Sequence, residues 1–337
     1  MKLSRGNQGL RWLAGLASVL VVLSTQLPAQ AQKLTKIDTG YLPVISFAPI
    51  FIAMDKGYYA EEGIEVNLLS FPSGGKMISA LATGDLSVAG GSTSAALYNA
   101  IAEGLDIKIV ADKGQNRPGY HFGSVTLIRK DLYDSGAVRG IKDFKGRKVA
   151  IHAEAINLHY YLAAMLEHAG LSLNDVQVQY LGPPQIVSAL ASKAIDAAVT
   201  AEPTGAQAEA RKVAVKKSFS EDVPSLRNTQ VAVIMYSGKF MQENKKLAEG
   251  WMRAYVKGIK YNNRYGVKSK EVTPIVAKYT KVADTVIQDS IPFYLDNDGK
   301  LLVDDLDRQQ DWFFKMGFVK KKVPMSQTVD ESFLGIK

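Results

Sequence analysis

Apolar residues along the chain alternate between short runs, typical of buried strands, and longer stretches with helical spacing. The short runs include KIDTGYL, IEVNLLSF, RKVAIHA and VQVQYLG, and the helical stretches include APIFIAMDKGYYAEEG and NLHYYLAAMLEHAG. Short strands that alternate with helices predict βαβ units, which build parallel sheets covered by helices. The pattern therefore predicts an α/β protein.

Two parts of the chain repeat each other at a spacing of 109 residues. The letters SALA at 79–82 recur at 188–191. Each copy leads into a short apolar strand and a polar turn, GGSTSA in the first copy and TAEPTG in the second. The elements before each copy also follow the same order. We interpret this as an internal duplication that builds two similar α/β lobes, with Thr93 opposite Glu202.

The order of elements predicts where the chain divides. Residues 32–130 and 228–337 are predicted to form the first lobe, and residues 131–227 the second. GSVTLIRKDL and TQVAVIMYSG are predicted to be two crossing strands that join the lobes as a hinge. Because ligands bind beyond the carboxyl ends of the strands in such sheets, a cleft between the lobes is the expected binding site.

Residues 1–31 have the features of a secretory signal peptide. Lys2, Arg5 and Arg11 lie before an apolar run over 13–23, and the small residues of Ala29-Gln30-Ala31 suit a cleavage site. The apolar run is too short to span a bilayer. We therefore expect export, cleavage and a protein located in the periplasm.

Charge and cysteine content narrow the classes of function. The net charge of +8 falls to +5 without the three basic residues of the predicted signal peptide, and the remaining basic residues are scattered. Nucleic-acid binding needs a dense basic stripe with aromatic residues, so we do not expect it. The chain has no cysteine and therefore no cysteine that a lipid could modify. We expect a protein that is not membrane-anchored and is stabilised by its own cores.

The segment GGSTSA at 90–95 is the most informative candidate site. It lies between a predicted strand and a predicted helix, where unpaired N–H groups and the helix dipole attract anions. Gly91, Ser92, Thr93 and Ser94 are candidates for ligand contact, and capping of the helix is the alternative. A phosphate loop is excluded because Met77 follows Gly75-Lys76, and a nucleophile elbow because Ser94 is not glycine.

Further candidates follow other predicted strands. For each of them, core packing, a turn or a surface loop is the alternative. His152, His159 and His168 do not have metal-ligand spacing, so neither a metal nor a cofactor is predicted. The candidates are Tyr41, Ser46 and Phe47 after the first strand, Ser73 and Gly74 in PSGGK, Tyr120 and His121 in a predicted loop over 112–123, His152, Asn157 and His159 in the second lobe, and Glu202.

Three segments carry a resemblance to a known family. KGYYAEEGI at 56–64, ALATGDLSVA at 80–89 and KAIDAAVTAEP at 193–203 resemble the solute-binding proteins of ABC importers for nitrate, sulfonates, taurine and thiamine-pyrimidine precursors. The resemblance implies a type II periplasmic-binding-protein fold and a monomer that closes on a small-molecule solute. It also implies delivery to an inner-membrane ABC permease and its ATPase, and a Glu-Pro turn at Glu202 that lies at the cleft.

The resemblance leaves the solute open. The net charge, the hydroxyls and the helix N-termini favour an organic anion such as a sulfonate or carboxylate, and Tyr41, Phe47, Tyr120 and Tyr160 suit an aromatic one. A pyrimidine precursor of thiamine and a sensor domain stay as alternatives. We expect no enzymatic activity, because no nucleophile, base and orienting acid come together by spacing. The related pyrimidine synthases depend on a cysteine-rich iron site, which a chain without cysteine cannot form.

Overall fold

The computed structural model describes residues 33–72, 74–120 and 123–335. The predicted signal peptide at 1–31 and the candidates Ser73 and His121 lie outside the described residues. A search of the described helices finds none that combines the length and the apolar character needed to cross a membrane.

Ten strands among the described residues form two five-stranded sheets, as predicted for an α/β protein. The first sheet has the order β2-β1-β3-β10-β4 and the second the order β7-β6-β8-β5-β9. β10 runs antiparallel in the first sheet and β5 in the second. The strands are β1 Thr35–Tyr41, β2 Ile64–Ser70, β3 Val88–Gly91, β4 Ile107–Asn116, β5 Ser124–Arg129, β6 Lys148–Ile151, β7 Gln177–Tyr180, β8 Ala197–Ala201, β9 Ala214–Lys217 and β10 Thr229–Ser237.

Helices cover both sheets. The helix predicted over APIFIAMDKGYYAEEG is two helices, because Gly57 takes a left-handed φ of 75° and ends the first one. The helices are α1 Ala48–Asp55, α2 Tyr58–Glu61, α3 Ile78–Thr83, α4 Ala95–Ala102, α5 Lys130–Asp134, α6 Asn157–His168, α7 Pro183–Ala191, α8 Thr204–Ala210, α9 Gly238–Glu243, α10 Lys245–Tyr265, α11 Thr273–Thr280, α12 Asp284–Asp289, α13 Val303–Lys315 and α14 Met325–Thr328.

The repeat at 109 residues corresponds to a repeat in three dimensions. Val88 and Ala89 of β3 pair with β1, and Ala197 and Ala198 of β8 pair with β6. The helices that follow begin at Ala95 and Thr204, which keeps the same spacing. The two sheets also share one strand order, with the antiparallel strand at the fourth position. These equivalences support the interpretation of the repeat as a duplication.

Separate apolar cores surround the two sheets. The larger core takes its fully buried residues from the chain up to Ala111 and from Val233 onward, and the smaller cores take theirs from 127–226. We call these two parts the first lobe and the second lobe. The chain passes to the second sheet between β4 and β5 and returns between β9 and β10.

The position of β5 differs from the predicted lobe boundary after residue 130. β5 pairs with β8 and β9 and buries Leu127 and Ile128 in the cores of the second lobe. Because these apolar side chains are buried in the second lobe, residues 124–129 belong with the second sheet. β10, the other predicted crossing strand, lies wholly in the first sheet.

The predicted loop over 112–123 is wrong for its first half, because β4 continues through Asn116. Its polar side chains are buried and have partners, so they do not need water. The Gln115 amide donates to the Lys300 carbonyl at 2.7 Å, and the Asn116 amide donates to Thr229 at 2.8 Å. This extension carries β4 to the cleft between the lobes.

A close helix contact holds the segment before α1 at the same cleft. Gly258 of α10 packs on α1 so tightly that a Cβ would lie 2.1 Å from the Pro49 carbonyl oxygen. Trp251, Tyr255 and Ile259 of the same helix are fully buried. The first turn of α1 is thereby anchored, and residues 42–47 lie against the second lobe.

Candidate functional site: the cavity between the lobes

A cavity of about 60 Å³ lies between the two lobes. It is bordered by the carboxyl ends of four parallel strands, at Leu42 after β1, Ser92 after β3, His152 after β6 and Ala201 of β8. This is the location expected for a ligand in open α/β sheets. The other lining residues are Val44, Ser46, Phe47, Gly74, Gly91, Lys113, Gly123, Ser124, Ile156, Asn157, Leu158, Val231 and Ala232.

Lys113 is a functional candidate that the sequence analysis missed. Its side chain lines the cavity although the residue is only 1 % exposed. The Nζ atom donates to the Ser46 hydroxyl at 2.6 Å and lies 3.9 Å from the centre of the Phe47 ring. Burial lowers the pKa of Lys113 to about 7, against the opposing effect of the Asp112 charge. Its position two residues after the apolar run IKIVA of β4 was the available signal.

The glycines of GGSTSA make room for this arrangement. A Cβ on Gly90 would lie 2.5 Å from Phe47 Cε1 and 3.0 Å from Lys113 Cδ. A Cβ on Gly91 would lie 3.0 Å from the Cα of Gly74, whose segment also borders the cavity. Glycine at position 90 therefore allows the Phe47 ring and the aliphatic part of Lys113 to pack against β3.

The three hydroxyl residues of GGSTSA have three different surroundings. Ser92 lines the cavity. Thr93 is buried and its hydroxyl donates to the side-chain oxygen of Gln309, while Ser94 caps α4 by accepting from Leu97 N at 3.3 Å. The capping interpretation thus describes Ser94, and a solute in the cavity would meet Ser92.

The second lobe contributes neutral polar groups to the cavity. His152 Nε2 lies 2.7 Å from the Thr200 hydroxyl, and burial lowers the pKa of His152 to about 4. Its imidazole is therefore uncharged at neutral pH. The side-chain amide of Asn157 donates to the Val231 carbonyl of the first lobe and thereby spans the cleft.

His159 lies beside the cavity and not in its lining. Its Nδ1 accepts from Ala155 N at 3.2 Å, and burial lowers its pKa. The ring packs 5.5 Å from both Trp312 and Phe318 of the first lobe, and Tyr160 packs on the same tryptophan. This aromatic contact joins α6 to α13 across the lobes.

Glu202 also joins the lobes outside the cavity lining. The residue is 1 % exposed and its carboxylate accepts from Lys216 Nζ at 2.8 Å and from Ala206 N at 2.8 Å, both in the second lobe. It further accepts from Ile291 N of the first lobe at 3.0 Å. The Glu202 main-chain carbonyl accepts from Ile45 N, also of the first lobe, at 3.0 Å.

The structure thus brings part of the predicted set together. Tyr41 packs edge-on against Phe47 and Phe51 in the first lobe, and Tyr120 is 58 % exposed beside Tyr294. Contact with a solute stays a prediction for every member of the set. The predicted residues that line the cavity are Ser46, Phe47, Gly74, Gly91, Ser92, His152 and Asn157, and the described ones that do not are Tyr41, Thr93, Ser94, Tyr120, His159 and Glu202.

Family comparison agrees with this two-lobed architecture. Residues 44–264 match the family model described as NMT1/THI5-like, and this match spans the whole second lobe and part of the first. The chain belongs to the NMT1/THI5-like family. Its relatives include a riboflavin-binding protein, RibY, from Chloroflexus aurantiacus, which is 29 % identical over 222 residues that cover 65 % of this chain and 60 % of RibY.

A second relative is a putative periplasmic binding protein of an ABC transporter from Brachyspira hyodysenteriae. It is 27 % identical over 233 residues, which cover 66 % of this chain and 64 % of the relative. The chain therefore spans about three-fifths of the length of these curated relatives. The resemblance to the binding proteins of ABC importers that the sequence indicated is confirmed.

Two solved structures of periplasmic binding proteins share this fold. The periplasmic nitrate-binding protein NrtA from Synechocystis aligns with a TM-score of 0.72 at 16 % identity and covers 90 % of this chain and 88 % of NrtA. The alkanesulfonate-binding protein SsuA from Xanthomonas axonopodis, bound to MOPS, has a TM-score of 0.67 at 18 % identity and covers 88 % of this chain and 98 % of SsuA. The predicted periplasmic-binding-protein fold is confirmed.

One structural neighbour is an enzyme. The desulfurization enzyme DszB aligns with a TM-score of 0.60 at 15 % identity and covers 89 % of this chain and 97 % of DszB. A cysteine-to-serine variant of DszB has been solved in complex with biphenyl-2-sulfinic acid. Since the present chain has no cysteine, chemistry that depends on a thiol is not available to it.

Proposed function

We propose that this protein is the periplasmic solute-binding protein of an ABC importer, which captures a small organic anion between its lobes and delivers it to an inner-membrane permease and its ATPase. The observation that carries this proposal is the cavity at the carboxyl ends of strands from both sheets. Membership of the NMT1/THI5-like family and the fold shared with nitrate- and sulfonate-binding proteins support it.

Closure of the lobes is the mechanism that the contacts around the cavity support. Ala95 N donates to the Ala155 carbonyl at 2.9 Å, and Asn157 N donates to the Thr93 carbonyl at 3.2 Å, both across the lobes. A solute that contacts both lobes adds to these bonds and shifts the population toward the closed form. The permease then distinguishes a loaded receptor from an open one by its shape.

Binding rather than catalysis fits the chemistry of the cavity. His152 is its one imidazole among the described residues, and its hydrogen-bonding partner is a threonine that no second base activates. A hydrolytic or transfer reaction would require a nucleophile, a base and an orienting acid in contact. We therefore infer that the solute leaves the cavity chemically unchanged.

A solute screen tests the proposal. Thermal unfolding of the purified protein is measured with nitrate, propanoate, ethanesulfonate, taurine, phthalate, hydroxymethylpyrimidine and riboflavin at millimolar concentration. A solute present at 100 times its Kd stabilises the folded state by about 2.7 kcal/mol, which raises the Tm by several degrees. The proposal fails if no solute raises the Tm and calorimetry detects no binding.

A cavity-filling pair of variants shows whether a hit binds between the lobes. Ala201 lines the cavity, so Ala201→Phe fills it and is expected to abolish the Tm shift. Ala210 is exposed at the end of α8, so Ala210→Phe serves as the control and should keep the shift. An unchanged shift in Ala201→Phe would locate binding elsewhere and contradict capture in the cleft.

A further inference from the structure

The cavity carries one unbalanced charge. Lys113 is the only lysine or arginine among its described lining residues, and none of those residues is an aspartate or glutamate. The neighbouring Asp112 has its own partners away from the cavity, because it accepts from Gly114 N at 2.7 Å, from Asp296 N at 2.9 Å and from the Gln230 amide at 2.6 Å.

The ammonium of Lys113 keeps hydrogen-bonding capacity for a ligand. A lysine ammonium has three N–H donors, and within the described part of the chain the one protein acceptor for them is the Ser46 hydroxyl. The face of the Phe47 ring attracts the positive charge of the ammonium, but it does not take the place of an oxygen acceptor for the remaining N–H groups. A buried charge without a partner is costly, so an anion that enters the cavity gains a strong charge-assisted bond.

The remaining lining limits what else the solute can carry. Leu42, Val44, Ile156, Leu158 and Val231 present apolar side chains to the cavity. A second anionic group would have no cation to pair with there, and an ammonium on the solute would have no carboxylate. The cavity volume of about 60 Å³ is small, so the group that it takes is compact.

We propose that Lys113, together with Ser46 and Phe47, forms the head-group subsite for a compact organic monoanion, and that this subsite rejects zwitterions and neutral isosteres. This inference rests on the proposed receptor function and narrows its substrate class. The family resemblance allows both sulfonates and taurine, but this inference distinguishes them. Ethanesulfonate fits the subsite, whereas taurine carries an additional ammonium group and does not fit. The second lobe closes over the head group with the neutral side chains of His152 and Asn157.

Two matched ligand series test the charge rule by calorimetry at pH 6. The first series is propanoate, β-alanine and propanamide, and the second is ethanesulfonate, taurine and ethanesulfonamide. In each series the monoanion should bind at least tenfold more tightly than the zwitterion and the neutral amide. Equal affinities within both series would overturn the inference.

Variants of the lysine test whether Lys113 is the source of the preference. Lys113→Met should lower the affinity for the monoanions at least tenfold and remove their advantage over the amides, whereas Lys113→Arg should keep that advantage. Lys148 is an exposed strand lysine of the second lobe, so Lys148→Met is the control and should bind as the unmodified protein does. A monoanion preference that survives in Lys113→Met would overturn the assignment.

The stability of the unliganded variant gives a second measurement. Because Lys113→Met removes a buried charge without a carboxylate partner, its Tm should equal or exceed that of the unmodified protein. If the variant does not fold, the two ligand series on the unmodified protein decide the inference alone. Binding of hydroxymethylpyrimidine without any monoanion would overturn the inference and leave the receptor function standing, while binding of no solute would overturn both.

Discussion

Thr93 and Glu202, which the internal duplication places at equivalent positions, both hold the two lobes together through their main-chain carbonyls. Thr93 O accepts from Asn157 N at 3.2 Å, and Glu202 O accepts from Ile45 N at 3.0 Å. Asn157 begins α6 of the second lobe, and Ile45 lies just before α1 of the first lobe. The two turns therefore make reciprocal contacts on either side of the cavity, and closure draws on both copies of the duplicated unit.

Removal of the Glu202 carboxylate should destabilise the protein strongly. Glu202→Ala leaves Lys216 Nζ with its charge buried at 8 % side-chain exposure and deprives Ile291 N of its acceptor. Breaking a buried ion pair from one side costs about 3–5 kcal/mol, which urea unfolding can measure. Glu209 also lies near Lys216, at 3.5 Å, but is 41 % exposed, so Glu209→Ala is the matched control. If both variants lose the same small amount of unfolding free energy, the prediction that Glu202 stabilises the contact between the lobes is contradicted.

Substitution of Gly90 should displace the Phe47 and Lys113 side chains that line the cavity. In Gly90→Ala the new Cβ would lie 2.5 Å from the Phe47 ring, so the ring and Lys113 must move. Overpacking of this kind costs about 1–3 kcal/mol and should also weaken binding of any monoanion that the protein captures. Gly140 has open space around its Cβ position and an extended φ of −153°, so Gly140→Ala is the control. Chemical denaturation should show a loss of stability, and calorimetry a loss of solute affinity, in Gly90→Ala but not in Gly140→Ala.

The hydroxyls of GGSTSA should separate into a cap and a ligand contact. Ser94→Ala removes the cap of α4 and should lower the free energy of unfolding by about 1 kcal/mol with unchanged solute affinity. Ser92→Ala should instead weaken solute binding with little effect on stability, because Ser92 lines the cavity. Thermal unfolding and calorimetry of the two variants provide the measurement. The reverse pattern would mean that the helix start does not contact the solute.

Two buried groups should give stability a minimum near neutral pH. Burial raises the pKa of Asp112 to about 7, so the folded state holds a proton that the unfolded chain releases, and stability falls as pH rises from about 4 to 7. Burial lowers the pKa of Lys113 to about 7, so the unfolded chain holds the extra proton above that pH, and stability rises from pH 7 to about 10. Each slope is at most about 1.4 kcal/mol per pH unit.

Guanidinium unfolding at pH 5, 7 and 9 measures this pH dependence. Asp112→Asn should flatten the acid side, and Lys113→Met should flatten the alkaline side. Groups near these two include His152, which is already neutral over this range because its pKa is about 4. If the free energy of unfolding keeps both its acid and its alkaline slope against pH in the two variants, the pH dependence belongs to other groups.

Much of the scaffold follows from local patterns. β6 and α6 form where RKVAIHA and NLHYYLAAMLEHAG predict a strand and a helix, because alternation and helical spacing are properties of neighbouring residues. The spacing of 109 residues identifies equivalent strands to the residue, since β3 and β8 pair with their neighbours at positions that differ by this number. The boundary of the second lobe was less accurate, because the sheet that β5 joins depends on pairing with distant strands.

The amino-acid sequence by itself determined the α/β class, the duplication, and the strand-to-helix turn GGSTSA with glycines at its start. The tertiary structure decided which polar groups face the cavity and which join the lobes. Lys113 lies in a segment whose polar letters predicted a loop, and it became part of a strand because β4 pairs with the distant strand β10 through Asn116. The ammonium faces the cleft because Ser46, Phe47 and Gly90, from separate segments, pack around it. Such contacts depend on long-range packing, which local sequence patterns do not encode.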